Sequence, residues 1–153
     1  MPSPADPPKV IVTLPQRVEI WHQPMRGDKI RLFSHEELQC PATKVVKLAD
    51  GFTFALRDLR VAWGRPMKVN SCCRSEAHNK AIGGHPKSLH VYDFPVHPIN
   101  GTAAIDIATP DNLARTNLHL LAWSMGWSIG HGRNFLHLDR RDLAGLPQRM
   151  FGY

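Results

Sequence analysis

What most constrains this chain is a pair of ionisable residues set inside apolar, strand-like runs. Asp106 sits within Ala103-Ala104-Ile105-Asp106-Ile107, and His137 within Leu136-His137-Leu138-Asp139. Taking a carboxylate out of water is costly unless it is paired or binds a metal, and the same logic applies to a buried imidazole. Whatever the chain folds into must bring partners to these two side chains. A third residue suits the same purpose: His90, which follows Gly83-Gly84 and Ser88-Leu89. Catalytic zinc takes three ligands from His, Asp or Glu and keeps a further position open. His90, Asp106 and His137 are therefore candidate metal ligands, although on spacing alone hydrogen-bonded structural histidines explain the pattern equally well.

The length of 153 residues suits one domain, and 42% hydrophobic with 21% charged residues is ordinary for a soluble globular chain. No apolar run reaches the roughly 20 residues that span a bilayer, so no membrane insertion is expected. Met1 to Pro8 lacks the basic-then-apolar layout of a secretory signal, which implies cytoplasmic synthesis. The net charge of +6 favours a polyanionic partner. Its basic residues are scattered and no nucleic-acid docking motif is present, so nucleic acid is not the expected partner. Cys40, Cys72 and Cys73 are odd in number and lack paired ligand spacing; they read as reduced, partly buried thiols.

Residues 1–30 read as a proline-rich N-terminal arm, with β-like runs at Val10–Leu14 and Arg17–Trp21, and residues 31–153 as the folded domain. Apolar residues at Val45, Leu48, Phe52, Leu56, Leu59 and Trp63 have helical spacing and predict an amphipathic helix that Gly64 and Pro66 stop. Met67–Asn70 reads as a strand entering a turn at Ser71–Arg74. Ser75 caps a short helix that Gly83-Gly84 ends. Residues 91–100 read as a loop and Ala103–Ile107 as a strand. Thr109-Pro110-Asp111 starts a helix whose buried face is expected from Leu113, Ala114, Leu120 and Leu121. Strands at Trp127–Ile129 and Phe135–Leu138 follow, joined by a turn.

The blocks Ser71-Cys72-Cys73-Arg74-Ser75, His78-Asn79, Gly83-Gly84, Ser88-Leu89-His90, Ala103 to Ile107 and Phe135 to Asp139 together resemble the D-alanyl-D-alanine carboxypeptidase family of zinc peptidases. That family includes phage endolysins and has the hedgehog-type zinc fold; the likeness extends over about Phe33 to Arg140. The resemblance implies an α+β fold, a small antiparallel sheet flanked by helices, making 31–153 a zinc peptidase domain. It carries His90, Asp106 and His137 over as Zn2+ ligands and Arg74 as the group that meets the oxyanion or a substrate carboxylate. Ser71 and Ser88 match as turn-forming or supporting hydroxyls. The implied substrates are peptidoglycan stem peptides, cut by a monomer released at lysis or carried on a phage virion.

Two departures from the family pattern stand out. The segment Val91–Asn100 enlarges the link between the first histidine and the aspartate, and makes His97 a rival first ligand. Many family members also carry an acidic general base three residues before the last histidine, where this chain has Asn134. An amide cannot take a proton from water, so Asp139 and His131 become candidate bases. Asp139 could instead orient a ligand imidazole. A noncatalytic zinc-containing module, wall-binding or part of a virion, is the alternative that Asn134 favours. His22, His35, His85 and His119 read as surface or structural.

Overall fold

A computed structural model describes residues 16–93 and 97–153. The expected strand at Val10–Leu14 lies outside them. Strands β1 (Ile20–His22) and β2 (Ile30–Phe33) pair antiparallel as a hairpin, with Ile20 and Phe33 reaching the core. Helix α1 (His35–Leu38) follows at once, opened by a capping box in which Ser34 Oγ accepts from the Glu37 amide and Glu37 reaches back to the Ser34 amide. His35 is structural: its Nδ1 accepts from Val18 N–H, and its Nε2 donates to the Lys44 carbonyl.

Helix α2 (Phe52–Trp63) begins seven residues after the first apolar position of the expected stripe, Val45. Leu48 instead bridges to Thr102, with Ala49 N–H donating to Thr102 O at 2.9 Å. Gly51, at φ 86°, then turns the chain into the helix. From there Phe52, Ala55, Leu56 and Leu59 form the buried stripe, and Gly64 at φ 72° supplies the left-handed turn that ends it. Strand β3 (Val69–Ser71) leads to helix α3 (Glu76–Ala81), which Ser75 caps through the His78 amide as expected.

Strand β4 (Ala104–Ala108) is followed by helix α4 (Asn112–Ser124), then β5 (Ser128–His131), β6 (Phe135–Asp139), a 3-10 turn (Arg141–Ala144) and β7 (Met150–Gly152). The cap of α4 is Asp111, whose carboxylate accepts from Ala114 N–H. Its buried face is also phased differently from the expectation: Leu118 and Ala122 are buried, whereas Leu113 and Leu120 are 71% and 63% exposed. The reason is that helix phase is set by the contact of α4 with α2, β5 and β6, and leucine at other positions is left in solvent.

The fold is α+β, with the larger sheet in the order β3-β4-β6-β5-β7. It is mixed rather than wholly antiparallel, because β7 runs parallel to β5. Register gives the two faces opposite characters. Ile105 faces Leu138 across β4 and β6, Ile107 faces Leu136, and Ile129 of β5 faces Leu138; all are buried in a core completed by Phe52, Leu118 and Trp127. Since side chains alternate across a strand, Asp106 and its cross-strand partner His137 project from the other face, where Asp139 follows two positions on.

Candidate metal centre

Three side chains converge on one point. Asp106 Oδ1 lies 3.1 Å from His90 Nε2 and 3.0 Å from His137 Nδ1, and the two ring nitrogens are 3.3 Å apart. All three residues are buried. Strands β4 and β6 supply Asp106 and His137 as cross-strand neighbours, while His90 comes from the loop after α3. That loop is pinned by Arg74 N–H to His90 O, by Ala103 N–H to Leu89 O and by Thr102 Oγ1 to His90 O.

The outer nitrogen of each imidazole fixes where its proton sits. His90 Nδ1 is 2.6 Å from the carbonyl of Cys72, which can only accept, so the proton is on Nδ1 and the lone pair is on Nε2. His137 Nε2 is 2.8 Å from Asp139 Oδ2, and both Asp139 oxygens also accept from Arg141, at 3.0 and 2.7 Å. This carboxylate is an acceptor too, so the lone pair of neutral His137 is on Nδ1. Three lone pairs thus point at one another with no proton between them, an arrangement that a cation relieves. A tetrahedral ion with bonds of about 2.0 Å spaces its ligand atoms roughly 3.3 Å apart, close to the distances here. The residues fit a zinc ion.

Electrostatics support this. Burial pushes the His90 imidazole below its ordinary value and keeps it neutral. Burial alone would raise the Asp106 carboxyl, but the contacts with His137 and His90 outweigh it and hold the group well below the usual carboxylate range. At His137 burial acts downward, yet Asp106 and Asp139 prevail and raise it. Arg74 Nη2 pairs with Asp106 Oδ2 at 3.2 Å, while its Nε donates to Ser71 Oγ at 2.9 Å and its Nη1 to Asn79 Oδ1 at 3.3 Å. A guanidinium has five N–H donors, so some remain for a ligand.

The cluster opens into a cavity of about 810 Å³, lined also by Arg74, His85, Lys87, His97, Arg149 and Tyr153. Phe151 and Tyr153 form an aromatic wall of the cavity, tilted against His137 with their ring centroids 5.6 and 6.0 Å from its own. They can come this close because Gly130, opposite His137, has no side chain: a Cβ there would lie 2.6 Å from the Phe151 ring.

Not every expected residue is here. His97 lines the cavity but is outside the three-atom cluster. Asp139 has both oxygens engaged and orients His137 rather than facing a substrate. His131 belongs to the opposite face of the sheet: it pairs with Leu136, one position out of step with Gly130 and His137, and its Nε2 contacts His119 Nδ1 at 2.9 Å. Pleat alternation thus removes it from the cavity. Asn134 is exposed and lines a separate cavity with Trp63 and Asp111. The sequence alone does not reveal Arg141, which anchors Asp139, or the aromatic wall of Phe151 and Tyr153.

The model of the peptidase M15 family matches residues 32–139, more than two thirds of the chain and every residue of the cluster. The chain belongs to the peptidase M15 family. No curated protein and no solved structure matches it. M15 peptidases are zinc-dependent metallopeptidases, hydrolases by class. Among the described residues, the buried His90, Asp106 and His137 are the group that could hold the ion.

Proposed function

We propose that this M15 peptidase hydrolyses peptidoglycan stem peptides, with zinc held by His90, Asp106 and His137. The observation that carries the reading is the set of three inward lone pairs beside an open cavity that Asp106 and His137 line. When bound, zinc supplies Lewis acidity at the scissile carbonyl and the attacking water. The protein does the rest. Asp139 and the Cys72 carbonyl hold the two imidazoles in the tautomers that leave their lone pairs inward. Arg74, fixed by Ser71, Asn79 and Asp106, offers its remaining N–H groups to a substrate carboxylate or to the charge that develops on the carbonyl oxygen. Arg74, Lys87, Arg141 and Arg149 give the cavity a cationic lining suited to a carboxylate-bearing peptide.

The scissile bond in this reading is a D-Ala-D-Ala terminus or an internal L-Ala-D-Glu type bond. The enzyme works as a monomer and reaches the wall on lysis or on a phage particle. Incubating the zinc-loaded protein with purified peptidoglycan, with and without chelator, tests it: released D-alanine marks the first bond, and new amino termini on glutamate mark the second. Asn134 favours the rival reading, a noncatalytic wall-binding or virion module. Zinc binding without any chelator-sensitive cleavage would decide for that module.

A further inference from the structure

Hydrolysis needs a group that takes a proton from the attacking water, and Asn134 lacks both the chemistry and the position. Among the described residues, the acidic and imidazole groups that line the cavity are His85, His97, Asp106, His137 and Asp139. Asp106 and His137 belong to the metal cluster. Asp139 is saturated by His137 and Arg141. His85 has spent its lone pair, because its Nδ1 accepts the Lys87 amide at 3.0 Å.

His97 differs. Its Nε2 lies 3.1 Å from the Lys87 carbonyl, an acceptor, so Nε2 carries the proton and Nδ1 carries the lone pair. Among the described residues Nδ1 has no hydrogen-bond partner. The ring is half-buried, and its backbone is fixed by a tight turn from Ile99 N–H to His97 O at 2.7 Å and by the packing of Ile99 on the core. His97 is thus an anchored imidazole with an unpaired ring nitrogen, on the wall of the same cavity that Asp106 and His137 line, and such a nitrogen is the kind of acceptor a general base supplies.

Building on the peptidase reading, we propose that His97 is the general base of this enzyme. The enlarged 91–100 link and the amide at 134 are then two halves of one change: the base comes from a new place. The water proton passes to His97 Nδ1 as the water oxygen bonds to the scissile carbonyl carbon. When the C–N bond breaks, the same proton passes to the leaving amine nitrogen. The imidazole is neutral again and no further reactant is consumed.

The test compares zinc-loaded wild type with His97→Ala and His97→Gln, measuring peptide hydrolysis, zinc affinity by competition titration and thermal midpoint. Glutamine keeps a donor for the Lys87 carbonyl but cannot accept a proton. Both variants are expected to lose about 10²–10⁴-fold in kcat/KM while zinc affinity stays unchanged, and added imidazole should restore part of the alanine variant's rate. A glutamine variant of near wild-type activity would overturn the assignment, since the ring would then only tie the loop. So would a tenfold or larger fall in zinc affinity, about the size expected for lost support of the metal, which would place His97 in holding the ion rather than in proton transfer. Wild-type protein that binds zinc and cleaves nothing would remove the peptidase reading itself and the base with it.

Discussion

Two histidine pairs in this molecule have nearly the same separation and opposite chemistry. His90 and His137 have ring centroids 5.2 Å apart at 64°, and His119 and His131 have centroids 5.0 Å apart at 23°. In the first pair each outer nitrogen donates to a fixed acceptor, so the facing nitrogens both carry lone pairs and Asp106 adds a third. In the second pair the facing nitrogens, 2.9 Å apart, share one proton as an ordinary hydrogen bond, and the neighbouring charge is the cation Arg115. Closeness of imidazoles is therefore a poor sign of a metal site. What distinguishes one is the direction its protons are made to face.

The largest contrast is expected from removing one member of each pair. His137→Ala should abolish stoichiometric zinc binding and chelator-sensitive hydrolysis, whereas His119→Ala should leave both near wild type; metal analysis beside a cleavage assay reads the difference. Next in size is Asp139→Asn. An amide can present either a donor or an acceptor to His137, so the tautomer is no longer fixed, and zinc affinity should fall about 10–100-fold in a competition titration.

A smaller effect concerns α4, which carries His119. Asp111→Ala removes its cap and should cost about 1 kcal/mol, seen as a thermal midpoint lower by roughly 2–4 °C, with zinc affinity intact. The smallest is a pH effect from His119 itself. Burial, then the charges of His131 and Arg115, lower its folded value below the ordinary imidazole value. The unfolded chain therefore binds more protons in the window between the two, and stability rises with pH there and is complete above about 6.5. In zinc-loaded protein, His119→Ala should flatten the denaturation midpoint across that window relative to wild type. An unchanged slope would mean that the second pair is electrostatically idle.

Much of the cluster was legible because of what surrounds it. Asp106 and His137 break apolar runs, so their burial and their need for partners could be read without any structure. The identity of the face was harder. His131 looked able to reach the cluster from a turn close in sequence, but its side depends on the register that sets Gly130 against His137, and one step of register exchanges the two faces of a strand. The phase of α4 is hidden for a related reason: leucines at 113 and 120 have helical spacing, while Leu118 and Ala122 are the buried ones. Helix α1 could have been found from Ser34 and Glu37, the two ends of its capping box. Strand β7 could not, since three residues pairing parallel to a strand about twenty positions earlier leave little local trace.

At Gly130 the backbone leaves room for two rings by presenting only a hydrogen. The breadth of the cleft is thus governed by an omission on a neighbouring strand, not by any group that meets the peptide. One added methyl there would press on the aromatic panel and redraw the outline a ligand must match, and the atoms it meets first belong to Phe151 and Tyr153, not to His90, Asp106 or His137. The outline of the cleft and the candidate metal cluster are in this way written at separate addresses of the same sheet.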